Sequence, residues 1–248
     1  MATMLPRTLL ALCLLFSACE EKKTPLVIDE RAVKFKALIK EAKIKAEKSA
    51  DPEAKDAYRK ALALCDKTAN ASEWADTARA LALLYQNAQE IEKAETLYRE
   101  ILAQNEEHFG KDSPESAQTL GCLAYVVQKR GDGAESEILL RREVAVREAI
   151  LGKNDSAKRW LGTDSQLLGE SLWRLGALLE ESGRLAEAGP ILGRALKTLI
   201  DTSKKLEYLH EEVERLVKHY RNLLLKMGDT EEQAQEKIDK MMEPLTKK

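Results

Sequence analysis

The stretch "DTARALALLYQNAQEIEKAETLYREIL", residues 76–102, reads as two amphipathic helices around a polar turn, "QNAQE". Leu81, Ala82 and Tyr85 share one face before the turn, and Ala94, Tyr98 and Ile101 share one face after it. Two small residues, Ala82 and Ala94, stand twelve positions apart. The same arrangement returns in "QTLGCLAYVVQKRGDGAESEILLRREV", residues 118–144, with Leu123, Ala124, Val127, Ser136, Leu140 and Glu143 in the corresponding slots. It returns again in "ESLWRLGALLEESGRLAEAGPILGRAL", residues 170–196, with Leu175, Gly176, Leu179, Ala188, Leu192 and Ala195. The interval between the small residues is twelve in all three. Small side chains let two helices cross closely, and one such pair cannot bury its apolar stripe alone, so units must stack.

These slots resemble the tetratricopeptide repeat, with large–small–aromatic residues on its first helix and small–aromatic–small on its second. The resemblance implies an all-α fold, a right-handed superhelical solenoid of four or five stacked helix-turn-helix units over residues 31–248, ending in a capping helix. The first two units are 42 residues apart, longer than the usual ~34. With "HFGKDSPES" and "AESEILLRREVAVREAILGKND", this is similar to the long repeats of kinesin light chains. Ser113 and Pro114 suit the N-cap and first position of a helix. The second and third units are 52 residues apart, and the extra length around "SAKRWLGTDSQ" is expected as an extended loop or helix end. Upstream, Ala54, Tyr58 and Ala61 give a weaker copy whose first helix carries Glu41 where leucine is expected. Downstream, Gly228 repeats the turn glycines Gly131 and Gly183 ahead of a charged last helix. Pro190 falls early in a second helix and is read as structural.

Forty basic and 42 acidic residues give a net charge of −2, so overall charge makes no case for nucleic acid. The lysine-rich "KFKALIKEAKIKAEK" reads as a solvated helix face. The three histidines, His108, His210 and His219, make no zinc motif, because "HEEVERLVKH" separates two of them by nine positions. No phosphate-binding glycine loop or nucleophile elbow is present in the sequence. No enzyme, metal or cofactor is therefore expected. Cys65 and Cys122 lack metal-site spacing and read as small hydrophobes, with a disulfide between them open if the body lies outside the cytoplasm.

The amino terminus is of a different kind. Arg7 precedes "TLLALCLLFSA", which carries no charge and would span about 16 Å as a helix, half a bilayer core. Residues 1–18 are read as a signal peptide. The ending "FSAC" resembles the lipobox of bacterial lipoproteins, departing from it at Phe16, where that family usually has leucine. The resemblance implies acylation at Cys19, a tether over residues 19–30, and attachment to the membrane. Glu20 in place of aspartate leans toward the outer membrane, facing the periplasm. An ordinary signal peptide, giving a soluble periplasmic or secreted protein, is the alternative.

Binding remains as the function. In a stack of this kind, first-helix residues three before and one after the small residue are expected on an open groove. They are Arg79 and Leu83, Gly121 and Tyr125, Trp173 and Ala177, and in the last unit Lys218 and Asn222. Arginine, tyrosine and tryptophan anchor partners well, so a protein or peptide partner is expected there. Packing on neighbouring helices is the other reading for Tyr125 and Trp173. Of the lysine–asparagine pairs with which members of this repeat class grip a terminal carboxylate, only Lys218 with Asn222 fits, and the places of the kinesin-type asparagines hold Ala80, Cys122, Arg174 and His219, so neither ligand is implied. An adaptor or assembly factor is the first expectation, and a structural lipoprotein acting through self-association or its convex face the second.

Overall fold

The computed structural model describes residues 29–47, 51–153, 161–206 and 211–246. The expected signal peptide, Cys19 and nearly all of the tether lie outside them. Ten helices and no strand occur among the described residues. They form five pairs: α1 (Glu30–Glu47) with α2 (Asp51–Leu64), α3 (Ala71–Asn87) with α4 (Ile91–His108), α5 (Pro114–Arg130) with α6 (Gly133–Lys153), α7 (Leu161–Glu181) with α8 (Leu185–Leu206), and α9 (Glu211–Lys226) with α10 (Glu231–Thr246). Each pair packs on the next, giving the expected solenoid.

The small residues sit where the helices cross. Ala82, Ala94, Ala124, Ser136 and Ala188 are fully buried. Gly176 has no room for a side chain, since a Cβ there would stand 2.5 Å from Leu192 Cδ2. Ser136, the one polar member, donates its hydroxyl proton to the Ala124 carbonyl at 2.9 Å, which removes the cost of burying it. The first unit obeys the same interval. Ala42 and Ala54, twelve apart, are both fully buried. Its first helix is therefore a better copy than Glu41 suggests.

Four turns share one closure. The N–H groups of Glu90, Asp132, Arg184 and Asp229 bond to the carbonyls of Tyr85, Val127, Leu179 and Leu224, five residues earlier in each case. This is the Schellman closure, which needs a left-handed residue just after the helix. Gly131, Gly183 and Gly228 supply it with φ of 100°, 75° and 103°, and Gln89 takes it at 60° despite its side chain. The last turn runs one residue longer, ending in a reciprocal cap. Thr230 N–H donates to Gln233 Oε1 at 2.9 Å, and Gln233 N–H returns to Thr230 Oγ1 at 3.2 Å. The buried alanine of α10 is accordingly displaced to Ala234.

Three other expectations resolve. Ser113 caps α5, accepting from Ser116 N–H at 3.1 Å, with Pro114 at the first helical position. Of the loop or helix end expected around 156–166, Leu161–Gln166 are the helix end, the start of α7, which like α6 runs 21 residues. Cys65 and Cys122 are free thiols.

Two glycine swaps should move stability in opposite directions. Gly176→Ala drives a methyl into Leu192 and should cost about 1–3 kcal/mol, the usual penalty of overpacking. Gln89→Gly relieves left-handed strain of about 1–2 kcal/mol, part of it returned as unfolded-chain entropy, leaving a gain of about 0.5–1 kcal/mol. Urea unfolding of both variants reads the two signs, and a neutral Gly176→Ala would contradict the close crossing.

Candidate partner-binding face

The odd-numbered helices α1, α3, α5, α7 and α9 are the first members of the pairs, and they carry the residues expected on an open groove. Leu83 is 48% exposed and Tyr125 40% exposed, one on α3 and one on α5, at equivalent positions. Lys129 Nζ stands 5.4 Å from the Tyr125 ring centre, close enough for cation–π attraction. Lys218 and Asn222 are exposed on α9. Arg79 is more constrained, bonding Asp76 Oδ1 at 2.9 Å through one Nη while its Nε is buried without a partner.

Trp173 is half-buried against the core formed by α7, α8 and α9. Its indole N–H donates to His219 Nδ1 at 2.7 Å. Indole is only a donor, so Nδ1 accepts, and the proton sits on Nε2, which contacts Glu180 Oε2 at 2.6 Å. Lys226 bonds the other Glu180 oxygen at 2.6 Å. Burial would raise the Glu180 pKa, but the hydrogen bonds from Lys226 and His219 outweigh it and hold the carboxyl below its ordinary value. Packing on a neighbouring helix thus describes Trp173, and exposure describes Tyr125.

Gly121 departs from the expectation of an open slot. It is buried, and Arg174 of the next repeat reaches over it to donate to its carbonyl at 3.1 Å. Beneath lies Glu143, fully buried. Arg174 Nη2 reaches both Glu143 oxygens at 2.8 Å, Arg147 Nε donates to one at 2.9 Å, and the Ser171 hydroxyl donates at 2.8 Å. A Cβ on Gly121 would stand 2.8 Å from Arg174 Nη2 and from each carboxylate oxygen. The glycine therefore makes room for a charge interlock between the second and third strong units.

The contacts follow one rule. The residue three before a crossing touches, in the next repeat, the residue two before the crossing: Gly121 meets Arg174 and Trp173 meets His219. Cys122 feels the Arg79 charge in the same relation, although burial, the larger effect, pushes its thiol pKa up. Sequence reasoning set Cys122, Arg174 and His219 aside as missing asparagines. Their shared slot was the signal that they bridge repeats.

Among the described residues no cluster of His, Cys, Asp or Glu suits a metal ion, and no helix is long and apolar enough to cross a membrane. His108 stacks edge-on against Phe109, ring centres 4.7 Å apart.

Residues 74–115 and 116–157 match the family model of the tetratricopeptide repeat. No curated protein sequence matches the chain closely enough to count as a relative. Solved structures with the same fold include BtubC (BKLC) from P. vanneervenii, at 16% identity and TM-score 0.63, covering 83% of this chain and 77% of that one. The nearly identical TPR-like repeats of a Podosopora anserina protein assigned as a kinesin light chain match at 16% identity and TM-score 0.61, covering 86% and 95%. At such identity the likeness speaks for the fold, that of a tetratricopeptide-repeat solenoid.

Glu143→Ala should cost about 3–5 kcal/mol, because it strands the buried Arg147 guanidinium. Glu143→Leu combined with Arg147→Met should recover most of that loss, as apolar replacement of buried pairs does. Denaturant unfolding of both variants checks this. A single-variant cost below about 1 kcal/mol, typical of an exposed pair, would contradict the interlock.

Proposed function

We propose that this chain is an adaptor or assembly factor of the bacterial cell envelope, which holds a protein or peptide partner against its odd-helix face. The observation that carries the reading is the pair Leu83 and Tyr125. Both are large, apolar and exposed at equivalent positions of successive repeats, on helices whose other apolar residues are almost all covered. Exposed anchors in register are what an extended partner grips, and a few such residues dominate binding energy. Arg79 and Trp173 border this pair, and Lys218 with Asn222 extends the face toward the carboxyl end.

Attachment through an acylated Cys19 completes the proposal, on the sequence of residues 1–19. It puts the solenoid at the outer membrane, facing the periplasm. Several acyl chains on one residue hold firmly, at about 0.8 kcal/mol per buried CH₂. A second reading, self-association or use of the convex face, draws on Ile138, 68% exposed on α6.

Leu83→Ala with Tyr125→Ala should leave helicity unchanged and weaken partner recovery by about thirtyfold or more, the effect of losing one hot spot of about 2 kcal/mol. Unchanged recovery sinks the odd-helix face, and a concentration-dependent oligomer that ignores these substitutions favours the second reading. Cys19→Ser should abolish acyl labelling. Retained labelling would refute the anchor.

A further inference from the structure

The two ends of the solenoid are built differently. An end helix packs on one side only, so a plain cap is polar on its outer face. The last helix meets that description. Its outer stripe is Glu232, Glu236, Asp239 and Glu243, all exposed, at the spacing i, i+4, i+7, i+11 of one helical face. The helix carries a net charge of −3.

The first helix does not. Its buried residues are Phe35 and Ala42. The stripe opposite them, again at i, i+4, i+7, i+11, is Val33, Ala37, Lys40 and Ile44. Val33 is 55% and Ile44 42% exposed. Lys34, Lys36 and Lys43 flank the stripe, all exposed and, like Lys40, without an ion pair among the described residues. Glu41 is committed to Lys45 at 2.7 Å, and Glu30 and Glu47 stand at the helix ends. The helix carries a net charge of +3. The solvated face expected from sequence accounts for the lysines but not for the uncovered valine and isoleucine.

We infer that the outer face of α1 rests on an anionic lipid surface, so that the solenoid stands on the membrane by its first helix with its acidic last helix pointing away. Apolar residues ringed by lysines are the pattern of a helix lying in the headgroup region. Negative lipid attracts each nearby lysine and repels the acidic stripe of α10, which fixes the polarity. The described chain begins at Asp29, directly after the amino-terminal 28 residues that carry the apolar segment and Cys19, so α1 is the helix nearest that segment along the chain. The inference adds an orientation to the proposed anchor but does not depend on acylation.

The test uses the full chain carrying Cys19→Ser, which cannot be acylated there. Vesicles rich in phosphatidylglycerol are compared with pure phosphatidylcholine vesicles by co-sedimentation. The uncharged segment of residues 8–18 adds a similar background to both. The chain should bind the anionic vesicles at least tenfold more tightly, with the preference falling as salt rises. Each lysine near such a surface contributes about a fivefold effect, so Lys36→Gln/Lys40→Gln/Lys43→Gln should abolish the preference. Val33→Ser with Ile44→Ser should weaken anionic binding severalfold, and Lys237→Gln with Lys240→Gln on α10 should not. Circular dichroism checks that each variant stays folded. Equal binding to both vesicle types overturns the inference, as does a preference that survives the lysine substitutions. A salt-sensitive self-association broken by the same lysine changes, without vesicle preference, overturns it in favour of α1 meeting α10 of a second copy. These outcomes are separate from the anchor, whose failure shows as retained acyl labelling of Cys19→Ser in cells.

Discussion

Everything in this molecule depends on how closely the two helices of a pair approach at one point. A bulky side chain at the small positions, which hold alanine, serine or glycine in the three strong units, would hold the pair apart and open the seam that Tyr98, Leu140 and Leu192 fill. Interiors pack near crystal density, so a gap at the crossing would be felt along the whole unit. Gly176 shows the constraint at its tightest, with Leu192 occupying the space a side chain would take. Four left-handed turns then lead into the second helix through the same hydrogen-bonded closure, and that regularity keeps equivalent residues of successive repeats in line.

Lining up the odd helices has a functional consequence. A residue at a given slot recurs as a row, and the row can be buried, bridged or left open. Gly121 and Trp173 are bridged by the next repeat, through Arg174 and His219. Leu83 and Tyr125 are left open. The bridges tie α5 to α7 and α7 to α9, and the open residues supply a surface on the stack that they help to hold together. Preorganised surfaces lose less entropy on binding, which suits a protein whose proposed work is to hold a partner in place.

The fold was legible because it rests on short-range regularities. Spacing of small residues, turn glycines and the Ser113–Pro114 helix start all act within one unit, and each leaves its mark within some thirty residues. The first unit shows how a local signal can be masked: Glu41 obscured the copy, although counting twelve back from Ala54 reaches the buried Ala42. The candidate face was only partly legible, because it depends on which side chain of the next repeat leans over. Nothing local to Gly121 announces that Arg174 covers it, or that Glu143, standing where Ile101 and Ala195 stand in the other units, is the buried charge that Arg174 and Arg147 share. Trp173 had the right chemistry for an anchor and the wrong neighbour for free exposure.

The central claim is that the odd-helix face, and not the convex one, meets the partner. Its most direct test is a photo-crosslinking residue placed singly at positions 83, 125 and 138 of the full chain in living cells. The account predicts one discrete adduct of the same mass from positions 83 and 125 and none from position 138. Adducts from position 138 alone, or only the mass of two copies of this chain, would contradict it.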